Sequence, residues 1–201
     1  MFKRILDIVL AIFGILLISP ILITVALLIK LSSAGPCIFG HERAGLHGSR
    51  FHVYKFRTMV QDASSLGGPL TLGGNDPRIT TIGRGLRRTK LDELPQLFNV
   101  LFGQMSFVGP RPEAWKYVEM FPTDFAEILQ VRPGITDPAS IQFRDEGSLL
   151  MNALDPELEY RTKILPEKIR LAKNYIRNRS TFKDIKIVAQ TIVRLFADRL
   201  N

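Results

Sequence analysis

A run of 25 residues from Ile5 to Ile29 carries Asp7 as its one strongly polar member, with Lys3-Arg4 before it and Lys30 behind it. A helix at the surface of a soluble domain hides one apolar face and shows a polar one; this run is apolar on every face. It therefore reads as a membrane segment, and whatever follows has to work beside a bilayer. As one straight helix it would reach ~37 Å at 1.5 Å per residue, enough to cross a hydrocarbon core of ~30 Å. Ser19-Pro20 interrupts it near the middle. Proline removes a backbone donor and crowds the preceding turn, so a kink is predicted, and the Ser19 hydroxyl is placed to bond a carbonyl that proline leaves free. Broken there, the arms are ~22 and ~15 Å long, each too short to span, as a helix entering and leaving by one face requires. Cations on both flanks fit such a return. These residues alone leave the spanning and the re-entrant arrangement open. A cleavable signal peptide is disfavoured despite Ser32-Ser-Ala34 before Gly35, because its apolar core runs only ~7 to 15 residues.

The 201 residues suffice for one domain plus this membrane element. Of the formal charge of +8, residues 1 to 30 hold only +2 (Lys3, Arg4 and Lys30 against Asp7), so the remainder carries +6. A basic body suits a phospholipid surface, a nucleotide diphosphate or nucleic acid. Nucleic acid ranks last, since the cations are scattered among apolar runs and form no nucleic-acid motif. The lone Cys37 makes no intramolecular disulfide, which fits a reducing cytoplasm, and reads as a small buried hydrophobe rather than a reactive thiol.

Residues 37 to 59 read as a β-hairpin whose second strand ends in Lys55 and Arg57, two cations on one side at strand spacing. Residues 61 to 78, rich in glycine, serine and proline, are predicted to be a long loop acting as a lid, without a P-loop or dinucleotide fingerprint. From Gly83 to Phe102, Leu94, Leu97, Phe98 and Leu101 fall at i, i+3, i+4 and i+7, so an amphipathic helix is predicted. Placing Pro95 in its first turn puts Asp92-Glu93 at the helix N-terminus, where the dipole favours negative charge and a phosphate can be received. Two further helices are predicted at about 156 to 176 and 181 to 199. Thr181 and Asp184 form a capping box for the last one, and Ile185, Val188, Ile192 and Leu195 line one face, with Lys183, Lys186, Arg194 and Arg199 elsewhere. That face packs on the core or lies on the bilayer, core packing being the commoner use.

The acid pair stands in Lys90-Leu-Asp-Glu-Leu-Pro-Gln-Leu-Phe-Asn99, followed by Met105-Ser-Phe-Val-Gly-Pro-Arg-Pro112. Adjacent carboxylates beside many cations suit phosphoryl chemistry on a metal-bound diphosphate; by itself such a pair also serves simply as a helix cap. Arg111, stiffened by a proline on each side, is suited to bidentate phosphate binding, and equally to a surface turn. These stretches, together with Phe2–Asp7, Ser19-Pro20, Tyr54–Met59, Arg87–Asn99 and Arg132–Thr136, resemble the signature of the bacterial sugar transferase family, the monotopic phosphoglycosyl transferases that start glycan assembly on a polyprenyl phosphate carrier.

The resemblance implies transfer of a sugar phosphate from a UDP-sugar to polyprenyl phosphate, with release of UMP. Asp92 would be the nucleophile, opening the diphosphate at the phosphorus that bears the sugar and forming an aspartyl phosphosugar. Mg²⁺ is implied, held by Asp92 and Glu93 with the substrate phosphates, although Glu93 could instead act as a base toward the lipid phosphate. Arg111 would bind phosphate oxygens, with Lys55, Arg57, Arg87 and Arg132 as further substrate-binding cations. The family's Ser-Pro break favours the re-entrant arrangement. The expected molecule is thus an α/β, mostly helical protein: residues 1–30 form a re-entrant membrane hairpin, and residues 31–201 form a catalytic domain with a small β-hairpin and amphipathic interfacial helices. Its expected place is the cytoplasmic face of a bacterial inner membrane, with the nucleotide sugar, the lipid phosphate and membrane lipid as partners and no nucleic acid. No feature assigns the sugar or an oligomeric state. The chain departs from the family pattern at Asp137–Glu146, where Gln142, Arg144, Asp145 and Glu146 are either sugar or base contacts or an exposed turn; His41, His47 and His52 receive no role. A noncatalytic lipid-binding or scaffolding module and a metal-dependent diphosphate hydrolase remain as rival readings.

Overall fold

The computed structural model describes residues 2–63, 66 and 76–197. The first element, α1 (Phe2–Ser32), is a 31-residue helix that continues through Pro20. Proline 20 leaves the Leu16 carbonyl without its donor, and the Ser19 hydroxyl donates to that carbonyl at 2.9 Å, the bond the sequence suggested. The hairpin follows as β1 (Ile38–Ala44) paired antiparallel with β2 (Arg50–Phe56). The loop predicted at 61–78 lies largely outside the described residues.

The single helix expected over 83–102 is two. Helix α2 (Thr81–Thr89) ends where Lys90 turns left-handed at φ 58°, a 3-10 turn (Leu91–Glu93) follows, and α3 (Gln96–Leu101) begins after Pro95, itself in helical geometry. The break therefore comes five residues earlier than the proline. A close approach fixes α2 in place: a Cβ on Gly83 would lie 2.0 Å from the Thr58 carbonyl oxygen, so only glycine lets the helix dock there.

Beyond α3 come β3 (Ser106–Val108), α4 (Trp115–Val118), α5 (Pro122–Ile128), β4 (Gly134–Thr136), α6 (Pro138–Gln142), α7 (Glu146–Met151), α8 (Pro156–Glu159), a π turn (Tyr160–Ile164), α9 (Leu165–Arg177) and α10 (Thr181–Ala197). Strands β3 and β4 pair in parallel, a second two-stranded sheet not foreseen because three residues show no alternation. The α/β, mostly helical class holds. The two predicted C-terminal helices are present, the first assembled from α8, the π turn and α9.

Details of α10 differ from expectation. Its N-terminal turn is capped by Ser180, whose Oγ accepts from the Lys183 N–H at 3.2 Å, while Asp184 accepts from the Tyr175 hydroxyl at 2.8 Å and pairs with Lys3. Those partners, on α9 and at the start of α1, take the carboxylate away from the capping box. The face of α10 turned inward also differs from the predicted stripe: Ile187 is buried and Val188 packs beside it, whereas Ile185 and Ile192 are exposed. The Leu195 side chain and Arg199 lie outside the described residues.

Both ends of α1 rest on one body. Near its start, Ala11 packs with Phe51, Val53, Val100 and Met105; near its end, Val25 and Ile29 pack with Phe56 and Leu86. Arg4 donates to the Val100 and Leu101 carbonyls at the end of α3, and Asp7 accepts from the Phe107 N–H at 3.3 Å, so the one acid of the apolar run is buried and bonded. Ile12, Phe13, Leu16, Leu17 and Ile23 remain exposed, on a helix long and apolar enough to cross a membrane.

Candidate active site

Asn99 organises the site's backbone. Fully buried, it donates through Nδ2 to the His52 carbonyl at 2.7 Å and accepts through Oδ1 from the Tyr54 N–H at 2.9 Å, clamping α3 onto β2. That clamp brings Lys55 to Glu93, whose Oε1 accepts from Nζ at 2.6 Å. The same oxygen accepts from the Arg111 guanidinium at 3.0 Å, so one carboxylate oxygen joins β2 to the segment after β3. Arg111 is fixed from its other side too: its backbone N–H donates to Asp137 Oδ2 at 3.2 Å, while Asp137 Oδ1 caps α6 through the Ser140 N–H at 2.7 Å.

Asp92 sits next to this bridge, 7% exposed, with Lys90, Lys55 and Arg87 near enough to act on its charge. Arg87 reaches over from α2, its Nε donating to the Thr58 hydroxyl at 2.8 Å. Oδ1 of Asp92 is buried and has no hydrogen-bond partner among the described residues. A buried acceptor without a donor is a costly feature to keep in a fold, and one that a ligand atom can relieve.

The two acids are pushed in opposite directions. Burial alone would raise Glu93, but Lys55, Arg111 and Lys90 outweigh it and hold the carboxyl well below the usual range. For Asp92 burial wins: it raises the pKa, Lys55 offsets part, and the neighbouring Glu93 adds to the rise. Burial likewise lowers Lys90, and the Glu93 charge raises Arg111. Glu93 is thus a fixed counter-ion that orients two cations, and a poor proton acceptor near neutral pH. Asp92 keeps an uncommitted oxygen inside a ring of positive charge, the arrangement a nucleophile or a metal ligand needs toward a phosphate.

The residues marked from the sequence separate into two groups. Lys55, Arg87, Asp92, Glu93 and Arg111 come together. Arg57 and Arg132 do not join them: Arg57 donates to the Ser33 and Ala34 carbonyls at the end of α1, and Arg132 to the Gly103 carbonyl just past α3. Ser19 and Pro20 lie in α1, away from the acids in sequence and bonded within their own helix. Within the stretch that departs from the family pattern, Glu146 pairs with Lys168 at 2.6 Å and Asp137 seats Arg111. Lys90 and Asp137 carried no assigned role in the sequence; Lys90 stood inside the quoted motif, and Asp137 opened the departing stretch. The support beneath Arg111 had no local signal at all: Glu113 accepts from Tyr160 at 2.9 Å and from Lys168 at 3.3 Å, contacts that join residues far apart in the chain.

Comparison with known proteins bears out the resemblance. A family model described as bacterial sugar transferase matches residues 1–198. The UDP-glucose:undecaprenyl-phosphate glucose-1-phosphate transferase of Escherichia coli (strain K12) is 41% identical over 202 residues, covering 98% of this chain and 40% of that protein. The undecaprenyl-phosphate galactose phosphotransferase of Salmonella typhimurium is 34% identical, covering 94% of this chain and 39% of its own length. The exopolysaccharide production protein PSS of Rhizobium leguminosarum bv. phaseoli is 38% identical, with 95% of this chain and 93% of that protein aligned. Against the first two, the chain spans about two fifths of the relative's length.

Proposed function

The chain belongs to the bacterial sugar transferase family, and from that premise we propose that it transfers a sugar-1-phosphate from a UDP-sugar to a polyprenyl phosphate, releasing UMP. The observation that carries the reading is the unpartnered Oδ1 of Asp92 beside Lys55, Arg87 and Lys90, with Arg111 bonded to the neighbouring Glu93. In the proposed first step, Asp92 attacks the phosphorus that bears the sugar. A P–O bond forms to the carboxylate as the P–O bond to the UMP phosphate breaks, leaving an aspartyl phosphosugar. An oxygen of the lipid phosphate then attacks the same phosphorus and releases Asp92. Lys55, Arg87 and Arg111 neutralise the diphosphate, because positioned cations are most of what phosphoryl transfer asks of a protein.

Mg²⁺ fits the donor set. Among the described residues no group of three or more His, Cys, Asp or Glu forms a protein cage, but Mg²⁺ is usually held by one or two carboxylates plus substrate phosphates. Asp92 has an oxygen to offer it, with Glu93 alongside, and the bound ion would supply positive charge for the departing nucleotide.

The membrane reading follows from α1. A helix crossing ~30 Å of hydrocarbon would place its two ends on opposite faces. Docking of both Ala11 and Ile29 on one body instead supports a segment that enters and leaves by the same face, which for a nucleotide-sugar enzyme is the cytoplasmic face of the inner membrane. The exposed Phe182, Ile185, Ile192 and Val193 of α10, interspersed with Lys183 and Lys186, support an interfacial position for that helix.

A panel of UDP-sugars assayed for UMP release, with and without polyprenyl phosphate, tests the function. Lipid-dependent UMP release with label appearing on the lipid is the expected result. Release of free sugar phosphate without lipid would make the protein a hydrolase, and no release with any donor would overturn the reading.

A further inference from the structure

No catalytic motif touches β1, yet the register of the hairpin puts His41 and Arg43 on the same face as Lys55. Directly opposed residues of an antiparallel pair share a face, and Phe39 opposes Lys55, His41 opposes Val53 and Arg43 opposes Phe51. Phe51 and Val53 are buried against the body and Lys55, farther along the same face, grips Glu93, so this face meets the acid pair at its Lys55 end. The end of β1 is also tied to the Arg111 segment, since the Ala44 N–H donates to the Glu113 carbonyl at 3.0 Å. Arg43 thereby comes within electrostatic range of Arg111 and Glu113.

Its bonding is unusual for a half-buried cation. Among the described residues no carboxylate lies within ion-pair distance of Arg43; its Nη1 donates to His41 Nε2 at 2.9 Å and to the Glu42 carbonyl at 3.3 Å. A ring nitrogen that accepts from a guanidinium carries no proton, so the side chain orienting Arg43 is neutral; the carboxylate whose charge reaches Arg43 is Glu113, which is itself bonded to Tyr160 and Lys168. Burial, with Arg43 and Lys55 nearby, holds His41 down to about 4, which keeps the ring neutral at physiological pH. Burial also disfavours the Arg43 cation as it stands, and an arriving anion would relieve that cost.

We propose that Arg43 is a further phosphate-binding residue of this site and that His41 positions it, the ligand being a phosphate of either the donor diphosphate or the lipid acceptor. The inference deepens the transferase reading and rests on it. A guanidinium suits the role because its planar fork meets two phosphate oxygens at once.

Calorimetric titration of the full chain in detergent with UDP, inorganic pyrophosphate and farnesyl phosphate, each as a separate arm, tests it. Arg43→Gln should weaken binding in at least one arm by about 10- to 100-fold, the range for losing a hydrogen bond to a charged group. Weakening toward UDP and pyrophosphate assigns Arg43 to the donor; weakening toward farnesyl phosphate alone assigns it to the acceptor. His41→Ala should cause a smaller loss that His41→Gln restores, because glutamine keeps an acceptor for Nη1. If thermal unfolding shows that Arg43→Gln does not fold, Arg43→Lys, which keeps the charge without the fork, takes its place with an intermediate loss. Wild-type binding left within about twofold by the folded Arg43 variant in every arm overturns the inference alone. A wild-type chain that binds none of the three overturns the transferase reading and the inference together.

Discussion

Replacing Asp92 by Asn should stabilise the fold while it abolishes turnover, two effects in opposite directions from one buried carboxylate. Asp92 is 7% exposed, one of its oxygens has no donor, and burial raises its pKa above the ordinary carboxylate value. For a carboxyl whose folded pKa is raised, the fold carries no penalty below the unfolded value, and a penalty accrues as pH rises through the folded value. As pH rises the wild type therefore comes to bear the cost of a poorly bonded buried charge. Burial outweighs the attraction of Lys55, Lys90 and Arg87 for the charged form, so the amide, which keeps the shape without the charge, is expected to gain stability on the order of 1 kcal/mol, the usual scale of a single substitution. In a chain of this size that is about 2–4 °C in Tm. Thermal unfolding of both proteins in detergent should show the gain at pH 7 and show it shrinking as pH falls and wild-type Asp92 takes up its proton. Turnover should fall by at least ~10³-fold, the scale for loss of a nucleophile. An Asn variant that is less stable at pH 7, gains stability equally at all pH values, or retains turnover would refute the reasoning.

Three further outcomes follow from the same geometry. Arg111→Lys should lose most activity, since an ammonium can still meet Glu93 but lacks the fork that also reaches a phosphate; steady-state rates near wild type would return Arg111 to a structural role. EDTA should stop turnover and added Mg²⁺ should restore it, whereas activity untouched by chelation would remove the metal from the account. With Cys37 replaced by Ala, single cysteines at Phe2 and at Ser49 should both resist an impermeant thiol reagent applied outside intact cells; labelling of the Phe2 position alone would mean that α1 spans.

How far the sequence can be read depends on how local each determinant is. The apolar α1, the hairpin and the two C-terminal helices were legible because each is written in its own periodicity, and the Ser19 bond to Leu16 because proline dictates which carbonyl goes unserved. The convergence of Lys55, Glu93 and Arg111 was legible only through the resemblance, since residues so far apart in the chain meet through the Asn99 clamp. The break at Lys90 was hidden: a non-glycine residue in left-handed geometry leaves no mark in the sequence. The inward face of α10 was hidden for the same kind of reason, because Asp184 answers to Tyr175 on the preceding helix and to Lys3 at the start of α1 rather than to its own first turn. Arg57 and Arg132 look like phosphate ligands in sequence and are bound to backbone carbonyls at helix ends in the structure, a distinction that only tertiary contacts make.

Intact-protein mass spectrometry after incubation with the donor UDP-sugar alone addresses Asp92 most directly. The account predicts a gain of one phosphosugar mass, mapped by digestion to the peptide containing Asp92, absent from Asp92→Asn, and discharged when polyprenyl phosphate is added. UMP formed only when donor and lipid are present together, with no adduct under rapid acid quench, would contradict it and leave a direct transfer in which Asp92 never becomes bonded to phosphorus.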